Sequence, residues 1–212
     1  MDLASYIDHT ILKADATLKD IEKVCEEALA HNFAAVCVNP CFVGHAAGLL
    51  KGSNAGLATV VGFPLGASTI AIKVRETEDA IKNGATEIDM VMAVGFFKSG
   101  NYKRVEEEIR EVVRMAAGKP VKVIIETCYL TPDEITKAAT ICADSGAAYV
   151  KTSTGFGSRG ASVEDVKIIK AAVGTRCKIK ASGGIKTKEQ ALAMIEAGAS
   201  RIGTSSGVAI VS

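Results

Sequence analysis

A closed (β/α)8 barrel, an α/β fold built on a parallel sheet, is the architecture this sequence predicts. Three observations point to it. Short apolar runs alternate with longer helix-patterned segments from end to end, which implies parallel strands joined by helical crossovers. Eight such runs occur, the number that closes a barrel. One frame recurs three times, as Gly84-Ala85-Thr86-Glu87-Ile88-Asp89, Gly146-Ala147-Ala148-Tyr149-Val150-Lys151 and Gly198-Ala199-Ser200-Arg201-Ile202-Gly203, each a helix stop, two small residues and a strand. An open doubly wound sheet is the alternative arrangement of the same units. The 212 residues, 48% hydrophobic and without a linker or low-complexity tract, fit one domain, 1–212.

In chain order the expected strands are 6–8 (short), 34–38, 57–62, 87–91, 122–126, 149–152, 177–181 and 201–203. Over 102–117, Val105, Ile109, Val112, Val113 and Ala116 form a 3.6-period stripe, with Glu106 and Arg110 expected to pair on the wet side. Thr131-Pro132-Asp133-Glu134 is a capping box with proline at the first helical position, Thr187-Lys188-Glu189-Gln190 is a second box, and Ser162-Val163-Glu164-Asp165 is a relative. Gly84, Gly146, Gly174 and Gly198 stand where helices stop.

Several function classes are excluded. A formal net charge of +1 with no basic run argues against a nucleic-acid partner, and the hydrophobic content excludes disorder. Residues 52–72 carry no charge, but Gly56, Gly62, Pro64 and Gly66 interrupt them. Only 57–63 is predominantly apolar, which is strand length rather than the roughly 20 residues of a membrane helix. The start Met1-Asp2-Leu3-Ala4-Ser5 has neither the basic nor the apolar region of a signal peptide. Cys25, Cys37, Cys41, Cys128, Cys142 and Cys177 form no C-x-x-C, and His9, His31 and His45 have no zinc spacing. The expectation is a reduced, cytoplasmic protein with no membrane association, no metal and no cofactor, its cysteines mostly small core residues.

Charges in the strands carry the chemistry. Lys151 follows Ala147-Ala148-Tyr149-Val150, Lys180 lies within 177–181, and Asp89 sits in Ile88-Asp89-Met90-Val91-Met92. Each stands toward the C-terminal half of its strand, and that end of a barrel is where active sites form. A neutral lysine can attack a carbonyl and form a Schiff base, but free lysine is almost wholly protonated at pH 7. A second ammonium about 5 Å away, across an effective dielectric of about 20, opposes that charge by roughly 3 kcal/mol, or about two pKa units. Desolvation acts in the same direction. Lys151 and Lys180, with Asp89 to move protons directly or through water, are thus the kit of a metal-independent aldolase. The nearest rival reading is another lysine aldolase of the barrel class, such as one for a longer phosphorylated ketose; a phosphosugar isomerase, which needs a glutamate base and no imine, and a silent phosphate-binding barrel are the others.

Small-residue turns follow the last three strands: Thr154-Gly155-Phe156-Gly157, Ser182-Gly183-Gly184 and Gly203-Thr204-Ser205-Ser206-Gly207. Barrels bind phosphate with the loops after strands 7 and 8, where glycine lets backbone N–H groups approach the anion. Gly155-Phe156-Gly157-Ser158-Arg159-Gly160 matches G-x-G-x-x-G, but the next strand ends in Lys178-Ile179-Lys180-Ala181 with no acid to hold a ribose, so a dinucleotide site is rejected.

Asp8-His9-Thr10, Val61-Gly62-Phe63-Pro64-Leu65-Gly66, Glu87-Ile88-Asp89, Val150-Lys151-Thr152-Ser153-Thr154-Gly155-Phe156 and Lys180-Ala181-Ser182-Gly183-Gly184 stand in the order of the deoxyribose-phosphate aldolase family. The resemblance runs from Asp8 to Ser206. It implies a class I aldolase on a (β/α)8 TIM barrel that takes a small phosphorylated sugar, 2-deoxy-D-ribose 5-phosphate, without a cofactor, and that self-associates as a dimer or tetramer. By the same resemblance Lys151 is the Schiff-base lysine, Lys180 the lysine that tunes it, and Asp89 the carboxylate of the proton relay. Asp8 and Thr10 belong to that network, Cys37 and Asn39 line the site, and Thr154 lies near the substrate hydroxyls. Gly155, Gly183, Gly184, Gly203, Ser205 and Ser206 hold the phosphate. Some members place lysine directly after the Thr-Gly turn; here Phe156 stands there, and whether Arg159 supplies a cation to the phosphate is left open.

Overall fold

Eight parallel strands pair in sequence order and close on themselves in the computed structural model, which describes residues 2–212. Met1, where the leader reading began, lies outside them. The strands are β1 (Ile7–Ile11), β2 (Ala35–Val38), β3 (Gly56–Val61), β4 (Glu87–Val91), β5 (Val121–Ile124), β6 (Tyr149–Lys151), β7 (Lys178–Ser182) and β8 (Arg201–Thr204). Closure is made by β1 against β8, with Ile7, Asp8 and His9 opposite Ile202, Gly203 and Thr204. That pairing rules out the open sheet.

Around the barrel run α1 (Leu18–His31), α2 (Val43–Leu49), α3 (Ile70–Lys82), α4 (Val94–Lys98), α5 (Tyr102–Met115), α6 (Pro132–Asp144), α7 (Val163–Val173), α8 (Lys188–Glu196) and α9 (Gly207–Val211). Both capping boxes form, at Thr131 and Thr187, and a third forms at Thr17 with Asp20. The Ser162 hydroxyl accepts from the Asp165 N–H at 3.1 Å. The expected Glu106–Arg110 pair gives way to a contact between helices. Arg110 donates to the carbonyl of Asp144 at the end of α6, where the helix dipole favours a cation.

The first strand is longer than its apolar run. Tyr6 belongs to a 3-10 turn, Ala4–Tyr6, and β1 continues through His9-Thr10-Ile11. Alternation explains the extension: Asp8 turns into the barrel, whereas His9 turns out and meets Glu27 of α1 at 2.6 Å. At the other extreme β5 stops at Ile124, two residues short of the expected 126, because Glu126 adopts a left-handed backbone, φ 53°.

Period-two alternation divides the core. Outward side chains such as Val36, Ile88, Met90, Val123, Val150 and Ile179 pack against the helices in one large cluster. Inside the barrel, Leu12, Cys37, Ala58 and Val60, with Phe63, form a second, small apolar cluster on the β2–β3 side. On the other strands charged side chains enter the lumen, unlike the branched aliphatic layers usual in this fold.

One buried ion pair braces the mouth from outside. Lys73 of α3 binds Glu108 of α5 and donates to the carbonyls of Gly66 at 2.8 Å and Val91 at 2.7 Å. Glu108 accepts in turn from the Ala93 N–H at 3.0 Å. The loop after β3 therefore lies close against this pair. A Cβ on Gly62 would come 2.6 Å from Lys73 Cε, and one on Gly66, at φ +67°, would come 2.1 Å from the Met92 carbonyl oxygen.

Candidate active site

β6 and β7 set Lys151 and Lys180 opposite each other in register. Both ammonium groups donate to the same atom, Asp89 Oδ2, each at 2.7 Å, so the two nitrogens stand at most twice that distance apart. Lys180 also binds Asp8. Lys122 of β5 donates to Asp89 Oδ1 at 2.7 Å and touches Glu87 Oε2 at 2.5 Å, the latter as a charge contact rather than an aligned hydrogen bond. Arg201 of β8 donates to Asp8 Oδ1 at 2.6 Å and lies 3.6 Å from Glu87. Contacts from β1 to β7 and from β4 to β6 join strands that are not neighbours, so they cross the lumen.

The field inside this network differs from group to group. Burial pushes the Lys151 ammonium below the ordinary lysine range; Asp89 offsets part of that and Lys180 adds to it. For Lys180 burial acts the same way, but Asp8 and Asp89 outweigh it and hold the group well above the usual range. Burial would raise Asp89, yet Lys122, Lys151 and Lys180 together hold it well below the carboxylate range. Asp8 is drawn down to about 2 against the same burial, by Lys180, Lys122 and Arg201. Desolvation is thus the first cause of the Lys151 shift and the neighbouring ammonium a further one, a different order from the sequence argument.

A cavity of about 300 Å³ opens over Lys151 at the C-terminal mouth. Of the lumen charges, among the described residues, Lys151 alone lines it. Thr10, Thr154, Gly155, Gly183, Gly184, Gly203 and Ser205 also form its wall, and Asp8, Asp89 and Lys180 lie beneath. Gly203 serves the lumen as well, since a Cβ there would come 3.0 Å from Lys180 Cε. Cys37 is fully buried in the apolar half of the lumen, and burial pushes its thiol up to about 11. Asn39 and Ser206 stand outside the cavity wall. Asn39 reaches the Lys13 carbonyl at 3.4 Å, and the Ser206 N–H donates to Thr204 Oγ1 at 2.9 Å.

Arg159 is turned away from the cavity, bound to Asp165 of α7 and donating to the Thr127 carbonyl at 3.2 Å. The exposed cations on the cavity wall are Lys13 and Lys186 instead. The sequence reading passed over both, although each stands shortly after the C-terminal end of a strand. It also passed over Glu126. That residue is buried and left-handed, and its carboxylate accepts from the Thr154 backbone N–H at 3.3 Å and from the Thr154 hydroxyl, so it sets the position of Thr154. Phe156 flanks the cavity with its ring edge-on to Phe63, centroids 5.3 Å apart.

Comparison with known proteins decides the family, for the profile described as DeoC/LacD family aldolase matches residues 3–212. The chain belongs to the DeoC/LacD aldolase family. This aldolase is 56% identical over 211 residues to the deoxyribose-phosphate aldolase of Coprothermobacter proteolyticus, covering 100% of this chain and 96% of that one. Among solved structures it superposes on the aldolase QR15 with a TM-score of 0.96 at 44% identity, covering 100% of this chain and 95% of the other. It also superposes on the tetrameric deoxyribose phosphate aldolase of Aeropyrum pernix, TM-score 0.92 at 32% identity, covering 99% and 89%. Among the described residues of this aldolase no three His, Cys, Asp or Glu side chains converge as a metal-holding group, and no helix is long and apolar enough to cross a membrane.

Proposed function

We propose that this aldolase reversibly cleaves 2-deoxy-D-ribose 5-phosphate to D-glyceraldehyde 3-phosphate and acetaldehyde through a Schiff base on Lys151. The observation that carries the reading is a lysine only 3% exposed that lines the cavity and whose Nζ shares one carboxylate oxygen with a second lysine. Neutral Nζ adds to C1 of the open-chain sugar, and loss of water gives the iminium. The iminium takes up the electron pair of the breaking C2–C3 bond while the C3 hydroxyl proton passes to a base. Glyceraldehyde 3-phosphate departs and an enamine remains. Protonation of its terminal carbon and addition of water release acetaldehyde and restore the amine. Asp89, held ionised by three ammonium groups, is a weak proton acceptor. Its part is to orient Lys151 and Lys180, with water carrying the proton of the C3 hydroxyl to the enamine carbon.

The substrate assignment is supported by the full-length relatives that bear that name and by a cavity at the small end of the range for ligand pockets, about 300–1,000 Å³. The phosphate fits the side-chain-free turn Gly183-Gly184, with Ser205 and Lys186 beside it. We further assign residues 1–212 to one catalytic domain, in the cytoplasm, where the free state of all six cysteines is sustained. The tetrameric Aeropyrum pernix relative favours self-association, as dimer or tetramer.

Borohydride reduction in the presence of acetaldehyde tests the reading. A stable ethyl group at Lys151, located by peptide mass, is the expected result; no adduct, or one confined to other lysines, rejects the Schiff-base assignment. Turnover of deoxyribose 5-phosphate in preference to fructose 1,6-bisphosphate tests the substrate.

A further inference from the structure

Three charges beneath the reactive amine take no bond-making or bond-breaking step in the Schiff-base reading: Lys122, Glu87 and Arg201. The charged groups that face the lumen can be counted strand by strand. β1 supplies Asp8, β4 supplies Glu87 and Asp89, and β5 supplies Lys122. β6, β7 and β8 supply Lys151, Lys180 and Arg201. On the other side, β2 offers the Cys37 thiol and β3 only Ala58 and Val60. Tyr149, below Lys151 on β6, presents its ring 5.9 Å from Lys122 Nζ and 5.7 Å from Arg201 Cζ. Lys178 is exposed at the far end of the barrel, where water screens it.

Four cations therefore face three carboxylates in a largely buried space. A surplus charge there is costly, and the set becomes neutral when one cation gives up its proton. Arginine cannot do so. Lys180 binds two carboxylates, Asp8 and Asp89. Lys122 meets Asp89 and Glu87, with a third, Asp8, at 3.8 Å. Lys151 meets one carboxylate, through an oxygen it shares with Lys180.

We propose that Lys122, Glu87 and Arg201 form a charge-setting floor whose excess of one cation over the lumen carboxylates selects Lys151 as the uncharged amine, with Lys122 a positioning residue that acts on Lys151 through Asp89. The inference rests on the Schiff-base reading of Lys151. It agrees with the direction of the fields: of the four cations, Lys151 alone is lowered, while Lys122, Lys180 and Arg201 are raised.

The test follows the pH at which acetaldehyde and cyanoborohydride label Lys151 to half the maximal rate, read by peptide mass. Lys122→Met leaves three cations against three carboxylates, so the midpoint rises. Glu87→Gln leaves four against two, so it falls. Each shift is expected to be about one pH unit or more, the effect of a unit charge several ångströms away across an effective dielectric of about 20. The double variant restores an excess of one, and its midpoint returns toward that of the unaltered protein. Loss of packing alone does not move the two single variants in opposite directions. Midpoints that stay put, move the same way, or fail to return in the double variant overturn the proposal. Should the Lys122→Met chain not fold, the near-isosteric Glu87→Gln decides alone, and an unchanged or raised midpoint overturns the proposal. An unaltered protein that never labels at Lys151 sinks the Schiff-base reading itself, an outcome distinct from labelling with unmoved midpoints.

Discussion

Two oxygens of Asp89 serve three ammonium groups, and that ratio decides what single substitutions do. Lys180→Leu removes the like charge beside Lys151 and frees one carboxylate oxygen to hold the remaining ammonium. Lys151 then keeps its proton to higher pH. A shift of about two units costs roughly 100-fold in rate at neutral pH, tenfold for each unit. The acid limb of the pH–rate profile checks this, and an unmoved limb removes Lys180 from its tuning role. Asp8 gives a stability prediction. Its folded value of about 2 lies below the 3.8 of the free group, so it stabilises the fold above pH 3.8, and that contribution is lost as pH falls from there through about 2. Urea unfolding across that window, compared with Asp8→Asn, should show the variant's stability to be less pH-dependent. Asp89, Lys151 and Lys180 were legible because a charge amid apolar neighbours stands out. Lys122, Glu87 and Arg201 were not, because each sits at or next to the start of its strand, where a charge looks like an ordinary strand end. Their partners lie on strands 33 to 193 residues away in the chain.

At the scale of elements, local chemistry was legible where it is self-contained. The capping boxes at Thr131 and Thr187 and the glycine stops need only a few adjacent residues, and they form as read. β1 was under-read because its inward residues are polar, so no apolar run marks it. The Lys73–Glu108 brace escaped notice for a related reason: Glu108 stands one position from Ile109 on the apolar stripe of α5, and a glutamate on a helix is ordinarily solvated. That brace accounts for the Gly62-to-Gly66 loop. Gly66→Ala would force a left-handed alanine to within 2.1 Å of the Met92 oxygen. It should destabilise the protein by about 2 kcal/mol or more, measured by chemical denaturation. An alanine variant as stable as the parent would mean that the loop does not depend on this close approach.

Across the whole molecule, the barrel was legible because eight strand–helix units repeat in a chain of fitting length, and pairing of β1 with β8 supplies the closure that no local signal encodes. The division of the lumen into an apolar half and a charged half was not legible, since it arises only when inward residues of distant strands meet. Tyr149, Lys122, Glu87 and Arg201 plug the N-terminal end of the barrel, and Lys122 and Lys180 are wholly out of reach of solvent. The lumen is accordingly a sack and not a tube. Under the proposed Schiff-base reading, the sugar and both aldehydes pass through the C-terminal mouth, and the two-carbon fragment stays bonded to Lys151 until the larger phosphorylated piece has made room for water. The order of product departure then follows from that covalent bond and the closed floor together.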